Sequence, residues 1–153
     1  MLDLAAGGGR HCRLFRDLGH RVTALDRDVS GLADLQGDPR VEVIRADLED
    51  GPPDASWRPL EGRRFAGIVI TNYLHRPLFA KIAAALLPGG VLLYETFGLG
   101  NERFGRPSNP DFLLAPGELL DCVRGRLRVV AYEDGKTDIP RPAMVQRIAA
   151  IRG

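Results

Sequence analysis

The stretch MLDLAAGGG, residues 1–9, decides the fold of this chain. The apolar residues around Asp3 predict a short buried strand, and the alanines and glycines after them predict a sharp turn into a helix. Small residues let a ligand approach the backbone of such a turn, and the helix that follows directs free N–H groups toward it. We therefore expect a ligand site where the first strand ends.

The segments that follow alternate between strand and helix patterns. Leu14, Phe15 and Leu18 have helical spacing, and Gly19 ends that helix. Further strands are predicted over residues 21–26, 41–45, 65–71 and 91–97, and further helices over residues 30–35, 77–87 and 116–123. Strands joined through helices pair in parallel, with right-handed crossovers, so the pattern predicts a parallel α/β sheet.

Two regions depart from this alternation. Residues 98–115 form a long connection rich in glycine, asparagine, arginine and phenylalanine, and connections of this length in compact domains commonly carry function. Residues 127–133 and 143–151 are two strands with no helix between them, so we expect them to pair antiparallel. Residues 51–64, rich in proline and charge, predict a surface connection with one helical turn.

Composition narrows the class of protein. With 153 residues and 44% apolar side chains, the chain suits a single domain over residues 1–153. The 21 basic and 20 acidic residues are mixed along the chain, so no nucleic-acid partner is expected. Cys12 and Cys122 predict neither a disulfide framework nor a metal site. No segment resembles a signal peptide or a bilayer-spanning run, so we expect a cytoplasmic protein without a membrane partner.

Four motifs, taken in order, resemble those of class I S-adenosylmethionine-dependent methyltransferases. That family has an acid-x-Gly-x-Gly-x-Gly turn after strand one, an acid ending strand two, an acid after strand three and a Pro-Gly-Gly before strand five. The matching positions are DLAAGGG at 3–9, Asp26, Asp47 and Pro88-Gly89-Gly90. Residues 72–120 also resemble a small bacterial group of tellurite-resistance-type methyltransferases. The resemblance implies a doubly wound, Rossmann-like α/β sheet of seven strands, mostly parallel with a C-terminal antiparallel hairpin.

The same resemblance implies a site for S-adenosylmethionine. Asp3 would orient the methionine amino end, Asp26 would accept the ribose hydroxyls, and Asp47 with Leu48 would contact the adenine. The full set of expected cofactor-binding residues is Asp3, Ala5, Ala6, Gly7, Gly9, Asp26, Arg27, Asp47, Leu48 and Asn72. An acid ending strand two also serves dinucleotides, so an NAD-binding oxidoreductase is the rival interpretation.

The candidates for catalysis follow the fourth predicted strand and are Tyr73, His75 and Arg76. His75 is the only histidine predicted at this edge and suits a general base, although a histidine in front of a helix also serves as a helix-end hydrogen bonder. Arg76 could bind an anionic acceptor, or its side chain could lie in solvent. Candidates for acceptor binding are Glu95, Asn101, Arg103, Phe104, Arg106, Asn109 and Phe112. The alternative for Phe104 and Phe112 is that they pin the long connection to the core.

We therefore expect an enzyme that transfers a methyl group from S-adenosylmethionine to a nucleophilic oxygen, nitrogen or sulfur of a small-molecule acceptor. A non-catalytic methyltransferase-like binding module is the alternative, and the acceptor and the oligomeric state stay open. Members of the family carry a helix and a longer first strand before the glycine turn. The resemblance thus implies that this helix is missing before Met1, and that restoring upstream residues would tighten cofactor binding.

Overall fold

The structure, a computed structural model, describes all residues from Met1 to Gly153. Its strands form one seven-stranded sheet in the order β3-β2-β1-β4-β5-β7-β6. Their bounds are β1 Leu2–Leu4, β2 Val22–Asp26, β3 Val41–Arg45, β4 Phe65–Thr71, β5 Leu86–Phe97, β6 Arg128–Thr137 and β7 Ala143–Ile151.

The first five strands pair in parallel, and only β7 runs against its neighbours. The chain moves outward from β1 to β3 on one side of the sheet and then returns to place β4 on the other side of β1. Strand order therefore reverses between β1 and β4, which is where open α/β sheets bind ligands. The predicted doubly wound, mostly parallel sheet with a C-terminal antiparallel hairpin is confirmed.

Short helices connect the strands. The α-helices are α1 Arg10–Asp17, α2 Pro53–Ser56, α3 Phe79–Ala84 and α4 Glu118–Val123. Short 3-10 helices cover Ser30–Leu35, Arg58–Leu60, Arg76–Leu78, Asn101–Arg103 and Pro110–Phe112. None of the helices has the length and apolarity needed to cross a bilayer.

The prediction of a helix over residues 77–87 is wrong at the C-terminal end of that helix. It stops at Ala84, and Leu86 already belongs to β5, paired with Phe65 of β4. Leu86 is fully buried, so sheet pairing and burial override the helical spacing of the local sequence. Gly90 allows this because a side chain there would collide with the backbone carbonyls of Phe65 and Leu87.

The core lies on both faces of the sheet. The larger cluster packs Leu4, Ile70 and Leu92 against residues of the α3 and α4 side, such as Leu78 and Leu119. A smaller cluster around Cys12 and Leu35 holds α1 and the 3-10 turn after β2 on the opposite face. Both clusters leave the carboxyl ends of β1 to β4 free of covering helices, and this edge carries the site.

Candidate functional site

A cavity of about 580 Å³ opens at the carboxyl ends of β1, β2, β3 and β4. We call it the main cavity. It is lined by Ala5, Ala6, Gly7, Gly8, Arg10, His11, Leu25, Asp26, Arg27, Ala46, Asp47, Leu48, Glu49, Thr71, Asn72, Tyr73 and Phe112. The cavity spans the point where strand order reverses, so four separate strand ends contribute to one surface.

The glycine turn forms one wall of the main cavity. Gly7 has φ of +52° and Ala5 has φ of +57°, a left-handed conformation that glycine adopts without strain. A Cβ added to Gly7 or Gly8 would meet no atom within 4 Å, so both positions are open to the cavity. Gly9 differs, since it is buried and a Cβ there would overlap the side chain of Leu32. Gly9 thus serves packing under α1, and Gly7 and Gly8 leave room for a ligand.

Asp26 braces this turn from the end of β2. One carboxylate oxygen accepts the Gly7 N–H at 2.7 Å, and the other accepts the Asp28 N–H at 2.9 Å. A carboxylate has about four acceptor positions, so two remain for hydroxyl donors in the cavity. Asp26 consequently shapes the turn and offers acceptors to a ligand at the same time.

Acids and a tyrosine form the wall near β3 and β4. Asp47 accepts the Glu49 N–H at 2.9 Å, which fixes both acids beside Leu48. Burial and the charges of Glu49 and Asp47 raise the pKa of Tyr73 well above its usual value, so its hydroxyl stays protonated near neutral pH. That hydroxyl is buried and has no hydrogen-bond partner. Other atoms of Tyr73 line the main cavity.

Asn72 stands at the end of β4 with φ of +55°. Asparagine is one of the few residues with a side chain that tolerate this conformation, and such strain collects at functional sites. Its N–H donates to the Glu95 carbonyl at 3.0 Å, which holds the backbone in place. Asn72 lines the main cavity and a second cavity next to it.

Asp3 lies beneath the cavity without lining it. Its side chain is only 2% exposed and accepts the Cys12 N–H at 2.9 Å, so it ties β1 to α1. Burial, with a smaller contribution from the charge of Asp26, raises the pKa of Asp3 to about 6. The Asp3 carboxylate therefore does not touch a ligand in the main cavity. It supports the glycine turn, which lines that cavity.

His75 and Arg76 lie outside both cavities. His75 is the N-cap residue of the 3-10 turn Arg76–Leu78, but its side chain makes no capping hydrogen bond, and only its carbonyl accepts the Leu78 N–H. Arg76 donates to both carboxylate oxygens of Glu118 and to two backbone carbonyls of the segment 98–115. The expectation that His75 is the only histidine at this edge is wrong, because His11 lines the main cavity.

His11 was accessible to sequence reasoning through its place in the first turn of the helix that follows the glycines, as was Arg10. Burial and the neighbouring Arg10 charge lower the pKa of His11, so the imidazole is neutral at pH 7. Glu49 had a weaker signal, since it follows Asp47 in an acidic run typical of a solvated loop.

The acceptor-binding candidates separate into different roles. Arg106, Asn109 and Phe112 line the second cavity. Asn101 is 2% exposed and ties the segment to β7. Glu95 pairs with Arg147 on the sheet surface away from both cavities. Phe104 packs beneath the Lys136 ammonium, and Arg103 lines neither cavity. No group of three or more His, Cys, Asp or Glu side chains is arranged to hold a metal ion.

Solved structures share this fold over 99% of the chain. TehB from Haemophilus influenzae superposes with a TM-score of 0.78 at 15% identity, and the chain spans 57% of its length. A methyltransferase from Mesorhizobium loti, described as S-adenosylmethionine dependent, superposes with a TM-score of 0.72 at 21% identity, and the chain spans 89% of its length. The 1,6-didemethyltoxoflavin-N1-methyltransferase of Burkholderia thailandensis was solved with 1,6-didemethyltoxoflavin and S-adenosylhomocysteine. It superposes with a TM-score of 0.71 at 22% identity, and the chain spans 69% of its length.

No family model and no curated protein matches the chain. At these identities the structural likeness concerns the fold. It confirms the predicted resemblance to the class I methyltransferase fold, and TehB is among the structures that share this fold.

Proposed function

We propose that this chain binds S-adenosylmethionine in the main cavity and transfers its methyl group to a nucleophilic atom of a small-molecule acceptor. The observation that carries the proposal is the cavity at the β1/β4 reversal in a sheet where β7 runs antiparallel between β5 and β6. Dinucleotide-binding sheets have the order 3-2-1-4-5-6 and lack this inserted antiparallel strand. Structures of similar fold include enzymes named as methyltransferases.

The residues that line the cavity suit this cofactor. Gly7 and Gly8 give close approach to the backbone, and the free acceptor positions of Asp26 suit the two ribose hydroxyls. Asp47 and Leu48 offer an acceptor and an apolar surface for the adenine. Tyr73 lines the same cavity. Of the expected cofactor-binding set, Asp3 and Gly9 support the turn from below, and the others line the cavity.

When bound, S-adenosylmethionine supplies a methyl group made electrophilic by the positively charged sulfur. The chain then has to align the acceptor, exclude water and accept a proton where the acceptor carries one. His11 lies at the cavity wall, where its Nε2 accepts the Arg10 Nε–H at 3.2 Å. Asn72 lies between the two cavities, where its side-chain amide can orient the acceptor. Tyr73 acts as a hydrogen-bond donor and not as a base, since its pKa is raised.

Titration calorimetry with S-adenosylmethionine, S-adenosylhomocysteine and NAD tests the cofactor assignment. We expect binding of the first two at micromolar concentration and none of NAD. Heat with NAD alone would overturn the proposal and favour the oxidoreductase interpretation. Transfer of labelled methyl to small molecules extracted from cells then tests turnover, with the variant Gly8→Val as a control in which the cavity wall is filled.

A non-catalytic binding module is the second candidate. It is favoured by the position of His75 and Arg76, two of the three predicted catalytic residues, outside the cavity. This candidate predicts the same binding of S-adenosylmethionine but no labelled product with any acceptor fraction. One labelled product that disappears in the Gly8→Val variant would exclude it.

A further inference from the structure

A second cavity of about 500 Å³ adjoins the main cavity, and we call it the side cavity. Asn72 and Phe112 line both cavities, so the two spaces meet at the end of β4. The remaining walls of the side cavity are Phe97, Arg106, Pro107, Ser108, Asn109 and Arg141. A molecule in the side cavity therefore reaches the main cavity at Asn72.

The two cavities have opposite charge. Three acids, Asp26, Asp47 and Glu49, and two arginines, Arg10 and Arg27, line the main cavity, so the acids outnumber the bases there. The side cavity is lined by two arginines and by no acid. This separation matches a positively charged sulfonium ligand on one side and an anionic ligand on the other.

The guanidinium groups of Arg106 and Arg141 come from segments far apart in sequence and form no ion pair. Three acids lie near them in sequence, and none of the three lines the side cavity. Glu102 accepts the Gly100 N–H, and Asp138 pairs with Lys136. Two like charges on one small cavity repel each other, and an anion held between them relieves that repulsion.

The wall that carries Arg106 is held in place by buried polar contacts. The Asn101 side chain donates to the Pro107 carbonyl at 3.0 Å and accepts the Met144 N–H at 3.2 Å. Phe97 and Phe112 provide apolar surface beside the arginines. A cavity lined by guanidinium groups and by aromatic rings suits a ligand with an anionic group on a flat apolar body.

We propose that the side cavity is the acceptor subsite and takes a small molecule that carries a carboxylate or phosphate on a ring-sized apolar body. Arg106 and Arg141 hold the anion, Phe97 and Phe112 contact the ring, and the nucleophilic atom points past Asn72 into the main cavity. This inference rests on the proposed function for the identity of the ligand in the main cavity.

The test titrates 4-hydroxybenzoate, phenyl phosphate and the neutral 4-hydroxybenzamide into the protein with and without S-adenosylhomocysteine. We expect the anionic probes to bind and the neutral amide to bind at least about tenfold more weakly, because it lacks the charge that the arginines recognise. A preference for the benzoate assigns a carboxylate, and a preference for the phosphate ester assigns a phosphate.

The variants Arg106→Ala and Arg141→Ala should each weaken binding of the anionic probes about tenfold and leave the affinity for S-adenosylhomocysteine unchanged. Arg103→Ala is the matched control, since Arg103 lies on the same segment but lines neither cavity. Equal binding of the neutral and anionic probes, no binding of either anion, or arginine variants that behave like Arg103→Ala would overturn the acceptor subsite. Anion binding without any binding of S-adenosylhomocysteine would instead contradict the proposed function.

Discussion

At the scale of single residues, neighbouring glycines of the turn perform different tasks. Gly9 has φ of +73° and faces Leu32, whereas Gly8 has ordinary backbone geometry and faces open space in the main cavity. The distinction is not visible in a run of three glycines and depends on what packs around each.

The variant Gly9→Ala should lower the free energy of unfolding by about 1–3 kcal/mol, because it combines a strained φ with an overpacked contact. Gly8→Ala should leave the stability nearly unchanged and weaken binding of S-adenosylmethionine, since its methyl group enters the cavity. Urea unfolding and calorimetry on both variants check this. If Gly8→Ala bound the cofactor like the parent protein, the glycine wall would not contact the ligand.

Asp3 predicts a pH dependence of stability. Its folded pKa of about 6 is above the usual 3.8, so the folded protein favours the protonated carboxyl. The free energy of unfolding should then fall as pH rises from about 4 to about 6, by about 3 kcal/mol in total, and stay level above that. The variant Asp3→Asn should lose this decrease.

Urea unfolding of the parent protein and of Asp3→Asn at pH 4 and pH 7 measures the difference. The free energy of unfolding of Asp3→Asn, relative to that of the parent protein, should increase as the pH is raised. A stability difference that is the same at both pH values would mean that Asp3 ionises as it does in water.

At the scale of elements, the segment 98–115 owes its order to polar side chains from elsewhere. Arg76 holds the carbonyls of Asp111 and Leu113 at 2.7 and 2.9 Å. Gln146, fully buried on β7, donates to the Ala115 carbonyl and accepts the Leu119 N–H. Through these anchors a segment whose only regular structure is two short 3-10 helices forms a defined wall of the side cavity.

The variant Arg76→Ala should lower the free energy of unfolding by about 1–2 kcal/mol, because it leaves partly buried carbonyls without donors. Hydrogen exchange should accelerate for amides of the segment 98–115 and not for those of β1. Lys81→Ala is the control, since its partner Asp54 is 93% exposed and such surface pairs contribute little. Unchanged exchange in the segment would mean that Arg76 does not order it.

At the scale of the whole molecule, ligand binding and folding are linked through four strands. The main cavity exists only where β1 to β4 meet, so a ligand there stabilises the folded sheet and has no site in the unfolded chain. S-adenosylhomocysteine at 100 times its Kd should raise the free energy of unfolding by about 2.7 kcal/mol.

The variant Asp26→Ala should weaken cofactor binding by about 1–3 kcal/mol, since its carboxylate braces the turn and Asp26 lines the main cavity. At a fixed concentration of S-adenosylhomocysteine, the rise in melting temperature should shrink accordingly. Asp28→Ala is the control, because Asp28 caps the neighbouring turn at Ser30 and lies outside the cavity. A full rise in Asp26→Ala would remove Asp26 from the site.

Sequence alone determined the strands, the parallel pairing and the acids that end β2 and follow β3. Those features depend on the periodicity of apolar residues, on turn residues and on the rule that strands joined through helices pair in parallel. The patterns that reveal them lie within short stretches of neighbouring residues. The sequence also indicated the glycine turn as the site, because three successive glycines cost conformational entropy on folding and a ligand site accounts for that cost.

Which side chains reach that site follows from tertiary packing. Leu86 left its helix for the sheet, Arg76 became an anchor of the segment 98–115, and His11 replaced His75 at the cavity wall. Arg106 and Arg141 came together in the side cavity from separate connections. Contacts between distant segments depend on packing and burial across the whole sheet, and no local pattern in the chain contains that information.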